Sequence, residues 1–268
     1  MNHQTGIGTE PQGRSDGTVG KALALLDTVA DAGRPMRFAE ILAVSDYPKA
    51  TLHRLLQTLV SQNMLRHDAD RQTYAPGMRL VRLAHAAWAQ SSLAPVARPY
   101  VDALSAEVGE TIHLAQLSEG QVLYVDKRNA LKPVEMFSDA GKVGPGYCTG
   151  VGKAMLAFLP EAERDTAIQQ QAFYRHTAHT LDTPGKLTMA LDEIKRTGVS
   201  FDREEHEPGI ICVAVPILTS GGRIMGALSI TGSTRHTSFD VLEEYTPALQ
   251  ATANKIAAAA EAWQFPGQ

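Results

Sequence analysis

Cysteine is nearly absent from this chain. Two thiols, Cys148 and Cys212, among 268 residues leave no disulfide framework to organise the fold. Long apolar runs are missing too: no stretch reaches the roughly 18 residues that a membrane-spanning helix needs. Residues 1–17 lack the apolar segment of a secretory leader and read as a polar, Gly-rich, disordered tail. These absences together place the chain in the cytoplasm, with no membrane partner. Neither His-Glu-x-x-His nor Cys-x-x-Cys occurs, so no zinc signature is present. The Gly-dense stretch from Gly141 to Lys153 misses the Walker spacing, because Ala154 follows Lys153 where Ser or Thr is required. A nucleoside triphosphate is excluded on that ground, and no cofactor is expected. Internal repeats are also lacking.

What is present reads as a globular protein of one or two domains, with 44% hydrophobic and 20% charged residues. A net charge of −4 argues against a nucleic-acid partner until its distribution is counted. Residues 17–82 hold nine Lys/Arg against six Asp/Glu, with His53 and His67 in addition, whereas residues 83–268 hold fifteen against twenty-one. A basic head on an acidic body suits a protein that meets DNA with one end.

Within the head, residues 38–59 carry the strongest pattern. Phe38, Ile41 and Leu42 recur at helical spacing, Ser45-Asp46 breaks the pattern as turn formers, and Pro48 opens a second helix. Leu52, Leu55, Leu56 and Leu59 give that second helix an apolar stripe. Its opposite face carries Lys49, Thr51, His53, Arg54, Gln57 and Thr58, donors of the kind that reach phosphates and base edges in a major groove. Two amphipathic helices with a solvated polar face are common, so the pair alone does not decide the matter. Met64–His67, a turn at Asp68-Ala69-Asp70 and Gln72–Tyr74 add a hairpin wing, and a helix over Thr18–Ala30 supports the pair. The order is that of a winged helix-turn-helix domain over 18–76.

Pro76-Gly77 punctuates the chain, and Met78 to about Gln90 forms a helix striped with Leu80, Val81, Ala84, Ala87 and Trp88. This linker helix, within 77–94, packs either on its own domain or on its twin in a dimer. From 95 to 268 the elements alternate. A helix over Ala97–Val108 precedes strands at Thr111–Leu117 and Gln121–Asp126, joined by a turn at Ser118-Glu119-Gly120, and a third strand is expected at Val134–Phe137. Helices follow at Gly150–Leu159, Glu161–Gln171 and Leu187–Thr197. Strands follow at Val199–Phe201, Ile211–Leu218 and Ile224–Thr231, and one long helix from Phe239 to about Trp263 closes the chain. Hairpins with interspersed helices point to an α+β sheet domain rather than a doubly wound one.

Two clusters invite chemistry. The glycines between 141 and 152 lead into a helix, and the N–H groups at such a start suit an anion or carboxylate. Asp202 to Glu207, with Cys212 beyond, could form a hydrolase or metal site built on Asp202, His206 and Cys212, or simply line a ligand pocket. Isolated cysteines are most often small buried hydrophobes. His113, among apolar neighbours in a strand, reads as a hydrogen-bonded core histidine.

At this point the chain resembles the IclR family of bacterial transcriptional regulators, from about Thr18 to Trp263. In the head the resemblance rests on Ala39-Glu40-Ile41 and on the run from Pro48 to Leu59. In the body it rests on Gly109–Leu114, Cys148–Ala154 and Glu204–Ala214, in the family's order. It implies a winged helix-turn-helix domain, a linker helix and a GAF-like effector domain with an antiparallel sheet flanked by helices. It further implies a homodimer or homotetramer bound to double-stranded operator DNA, more a repressor than an activator. Lys49, Ala50, Thr51, His53, Arg54 and Gln57 are then the DNA-binding residues. The same resemblance implies an effector pocket lined by Met136, Gly150, Val151, Asp202, Cys212, Ser229 and Thr231, holding a small carboxylate or sugar acid. Asp46 occupies the turn position where family members often have Gly; Asp tolerates the left-handed conformation, so little is lost. Ala69-Asp70 stands at the wing tip instead of Asp-Gly, and Gly146 stands where a bulkier apolar residue is common. Trp263–Pro266 is faintly similar to members that control breakdown of sugar-derived keto acids.

Overall fold

The computed structural model describes residues 17–91 and 93–262, so the expected tail (Gly17 apart) and the Trp263–Pro266 segment lie outside the described residues. The chain divides into two compact units after Ala87.

In the first unit, α1 (Thr18–Asp31), α2 (Phe38–Val44) and α3 (Lys49–Ser61) surround a core of Leu25, Leu26, Val29, Ile41, Leu52, Leu55, Leu56, Leu59 and Leu65. Each such leucine contributes on the order of 1.5–3 kcal/mol by leaving water, which is what holds three short helices together. The wing is a three-stranded sheet. Besides β2 (Leu65–Asp68) and β3 (Thr73–Pro76) it includes β1 (Met36–Arg37), a two-residue strand that pairs with β3 and was not anticipated from periodicity. Strand β1 runs directly into α2, where the Glu40 carboxylate accepts the Arg37 N–H at 2.7 Å and the Arg34 guanidinium at 2.7 Å. In this unit Gly33, Asn63 and Gln72 adopt the left-handed conformation, and Asp46 has no need of it. At the wing tip Asp68 accepts the N–H groups of Asp70 and Arg71, closing the turn without glycine. Helix α4 (Met78–Ser91) spans the division.

The second unit opens with α5 (Ala94–Val108) and is built on a six-stranded sheet that is antiparallel throughout. Its strands are β4 (Thr111–Ser118), β5 (Gln121–Arg128), β6 (Val143–Gly144), β7 (Ser200–Arg203), β8 (Ile210–Leu218) and β9 (Ile224–Ser233), in the order β6-β5-β4-β9-β8-β7. The β4–β5 turn has two residues, Glu119 and Gly120, both with positive φ, the geometry that suits a twisted hairpin. One sheet face packs Ile112, Leu114, Val213, Val215, Leu228 and Ile230 against α5, α9 (Phe239–Glu244) and α10 (Thr246–Ala262). The other face meets α6 (Gly150–Leu156), with α7 (Glu161–Gln169) and α8 (Pro184–Thr197) beyond it. The fold is α+β.

Two expectations are corrected here. Val134–Phe137 is not a strand; after Pro133 it runs irregularly, and β5 pairs instead with Val143–Gly144. The closing helix is two helices, broken at Tyr245, because Pro247 has no N–H to donate and disfavours a continuous helix before it.

Candidate functional site

In the first unit the leucine stripe turns α3 so that Lys49, Ala50, His53, Arg54 and Gln57 are exposed and Thr51 is half-buried. The five exposed residues turn away from Leu52, Leu55, Leu56 and Leu59, and Thr51 stands at the margin of that stripe. His53 rests edge-on against Phe38 of α2, with ring centroids 6.0 Å apart. Arg66 and Arg71 lie exposed on the wing. The arrangement offers a helix with cationic and amide donors, flanked by a hairpin that carries two exposed arginines, as contact with a nucleic-acid groove requires.

In the second unit strand parity builds the pocket. Side chains alternate across a sheet, so burial of Ile112, Leu114, Ile211, Val213, Leu228 and Ile230 on one face sends His113, Cys212, Ser229 and Thr231 to the other. Registry then lines them up: Asp202 lies opposite Cys212, Cys212 opposite Thr231, and Ser229 opposite His113. Helix α6 closes this row. Thr149 caps it, accepting the Gly152 N–H at 3.2 Å and donating to the Pro145 carbonyl at 2.8 Å. Gly150 allows the close approach, since a Cβ there would fall under 3.0 Å from Cys212 Sγ.

The result is a small cavity of about 30 Å³, lined by Gly150, Val151, Asp202, Cys212, Ser229 and Thr231 of the expected set. Met136 is half-buried on the irregular segment nearby and is not among the lining residues. Seven further residues line the cavity: His113, Tyr124, Ser138, Thr149, His206, Glu207 and Ile210. Parity could have found His113 and Tyr124, and the acidic cluster already contained His206 and Glu207. Ser138 gave no signal. Gly146 sits beneath the β4–β5 turn, against the Gly120 carbonyl, and not on the cavity wall. A wider groove of about 1020 Å³ opens between α7 and the β8–β9 turn, but the buried polar side chains converge on the smaller cavity.

Burial sets the electrostatics. It holds the His113 imidazole down to about 3, with nearby Lys127 adding to the effect, so this ring is neutral at physiological pH. His113 is nonetheless hydrogen-bonded on both sides: Nδ1 lies 3.2 Å from Thr231 Oγ1 and Nε2 lies 2.9 Å from Ser138 Oγ. Burial, and then the neighbouring Glu205, push the Asp202 carboxyl up to about 7, against the pull of Lys153. Lys153 is itself buried, paired with Glu205 and donating to the Phe201 carbonyl at 2.7 Å. Its charge is thereby engaged within the protein. Burial pushes the Cys212 thiol up to about 12, so it supplies no thiolate nucleophile. Among the described residues no three His, Cys, Asp or Glu side chains converge as a metal site, and no helix is long and apolar enough to cross a membrane.

Residues 18–69 match the family described as the IclR helix-turn-helix domain, and residues 85–258 match bacterial transcriptional regulator IclR, C-terminal. The HTH-type transcriptional regulator KdgR of Escherichia coli is 30% identical over 210 residues, 78% of this chain and 80% of its own. Thermotoga maritima IclR superposes with a TM-score of 0.74 at 26% identity, covering 90% of this chain and 97% of that one. An IclR homologue from Microbacterium hydrocarbonoxydans, complexed with 4-hydroxybenzoate, shares the fold with a TM-score of 0.79 at 22% identity, over 92% of this chain and 100% of that one.

Proposed function

This chain belongs to the IclR family of bacterial transcriptional regulators, and from that premise we propose that it is a cytoplasmic repressor of a catabolic operon whose operator affinity is set by a small organic acid. The family and its curated members are DNA-binding regulators rather than enzymes, and that replaces the hydrolase or metal-site alternative at Asp202, His206 and Cys212. The observation that carries the effector reading is convergence: five strands, the start of α6 and the 204–209 loop all meet at one polar cavity.

The effector's carboxylate meets the first-turn N–H groups of α6 at Gly150 and Val151, and its hydroxyl groups meet Ser229, Thr231 and Asp202. With Lys153 engaged by Glu205, recognition rests on neutral donors rather than on an ion pair. The 4-hydroxybenzoate held by the Microbacterium homologue supports an acid that also carries a hydroxyl group. On DNA, Lys49 and Arg54 contact phosphates or guanine, while Thr51, His53 and Gln57 meet base edges. Ala50 faces the groove beside them. A homodimer or homotetramer presents two such helices to a pseudo-palindromic site, supported by exposed Met78, Val81 and Leu83 on α4. The effector changes occupancy by its difference in affinity between two states of that assembly.

A thermal-shift panel of aromatic and sugar acids on the full chain tests the effector class, followed by operator titration with and without the hit. Ligand at 100 times its dissociation constant adds about 2.7 kcal/mol to the state that it binds. A panel silent across both acid classes, or an operator affinity indifferent to a bound acid, refutes the reading. Sedimentation of the free protein as a monomer refutes the assembly.

A further inference from the structure

The cavity leaves only about 30 Å³ of free space, room for ordered water and several times less than a ring-bearing or sugar-derived acid needs. Something in its wall must yield. Strands β4, β8 and β9 cannot, since each is bonded on both sides within the sheet. Two irregular segments also line the cavity, 204–209 with His206 and Glu207 and 129–142 with Ser138, and among the described residues Ser138 is the one of these whose side chain bonds a strand residue, His113. Backbone bonds hold the ends of segment 129–142, Leu131 N–H to the Gly109 carbonyl at 3.0 Å and Gly141 N–H to the Tyr124 carbonyl at 2.7 Å, whereas the attachments of its middle, at Phe137 and Ser138, run through side chains. Phe137 N–H donates to both Glu207 carboxylate oxygens at 3.0 Å, and Lys127 Nζ donates to the Ser138 carbonyl at 2.7 Å. The Phe137 ring meets His206 edge-on at 5.1 Å with Lys142 over its face. The last attachment points inward, from Ser138 Oγ to His113 Nε2 at 2.9 Å.

We propose that His113 is an effector-binding residue and that Ser138 is its built-in stand-in ligand, occupying Nε2 until an acid displaces the segment that carries it. The proposal rests on the reading of this cavity as the effector site. Thr231 Oγ1 lies beside Nδ1 and Ser229 Oγ is 3.5 Å away, so hydroxyl groups can donate to Nδ1 and leave the proton on Nε2. A neutral ring in that tautomer presents one N–H donor, which a carboxylate or hydroxyl oxygen accepts and an ammonium group cannot. Burial keeps the ring neutral, so it distinguishes acceptors from donors without adding a charge. Binding then has a mechanical consequence: the bond that ties 129–142 to the cavity floor is exchanged for a bond to the effector, and the segment is released or reseated.

Ser138→Ala removes the stand-in and leaves His113 untouched. In the unliganded full chain, amide hydrogen exchange across 134–140 should quicken relative to wild type, with α5 and α10 unchanged. Titration with 4-hydroxybenzoate and with gluconate should show tighter binding in the variant, by about fivefold for the loss of one competing hydrogen bond. Equal or weaker binding by Ser138→Ala, where wild type binds, overturns the proposal and leaves the effector site standing. Exchange across 134–140 that Ser138→Ala leaves at the wild-type rate also overturns it. Silence of both proteins toward both acids removes the effector reading and the proposal together. His113→Gln, which retains an N–H donor, should bind more weakly than wild type and more tightly than His113→Ala; if either folds poorly, the Ser138 result decides.

Discussion

Replacing Gly150 with alanine tests the packing of the cavity wall directly. The added Cβ would lie under 3.0 Å from Cys212 Sγ, 3.4 Å from Ala214 Cβ and 3.6 Å from the Asp202 backbone nitrogen. Cys212 is buried and turns about a single torsion, so it has little room to retreat. Overpacking of this kind costs about 1–3 kcal/mol, and alanine's better helix propensity returns up to about 1 kcal/mol. A net loss of about 1–2 kcal/mol lowers the melting midpoint of a unit of this size by about 2–8 °C. Cys212→Ala alone removes one buried sulfur and costs about 1 kcal/mol. In the double variant the alanine methyl group takes the sulfur's space, so the two losses should not add; a coupling energy of about 1 kcal/mol or more is expected. Calorimetry of the four proteins at one pH provides the cycle. Additivity within about 0.5 kcal/mol would refute the contact and, with it, the account of why glycine stands at the start of α6.

Other consequences can be checked in parallel. Arg54→Ala should weaken operator binding by about 1–3 kcal/mol in an anisotropy titration, whereas Lys49→Ala should chiefly lower the salt slope, by about one; unchanged affinity removes either residue from the interface. Lys153→Met leaves Glu205 buried without its partner and should cost about 3–5 kcal/mol, with Lys153→Met/Glu205→Leu recovering much of the loss. A mild single variant would mean that the pair is solvated. His113 binds a proton in the unfolded chain below its ordinary value of 6.5 but in the folded chain only near 3, so its contribution to stability is lost as pH falls across that window. The stability gap between wild type and His113→Gln should therefore narrow from pH 7 to pH 4; a constant gap contradicts the burial argument.

Much of this architecture was legible before any coordinates. The leucine period of α3 follows from burial on one face, which leaves a repeating mark in sequence, whereas β4, β8 and β9, buried on both faces, show as short apolar runs bounded by turn residues. Two places resisted for physical reasons. Strand β1 is two residues long, too short for periodicity, and exists because β3 offers a free edge beside it. Residues 134–137 are apolar and acidic in alternation like a strand, yet Glu207 takes the Phe137 N–H that a ladder would need. In the cavity, Asp202, Cys212, Ser229 and Thr231 came by resemblance, and His113 was seen as a buried, hydrogen-bonded histidine but not as a wall of the pocket. Its partner Ser138 sits 25 residues away on a segment without a period, and only folding joins the two.

The small strand β1 has a mechanical meaning for the head. Arg37 ends a strand and Phe38 begins α2 with no residue between them, while the same strand is laced to β3 of the wing. Rotation of the helix pair against the wing would have to tear that lacing and strip Glu40 from the Arg37 N–H. Helix pair and hairpin thus travel as one solid piece, with the distance between α3 and the wing set in advance. On the proposed DNA contacts, an operator must match that distance, and a substitution in β3 that loosens the lacing should be felt at the bases assigned to α3.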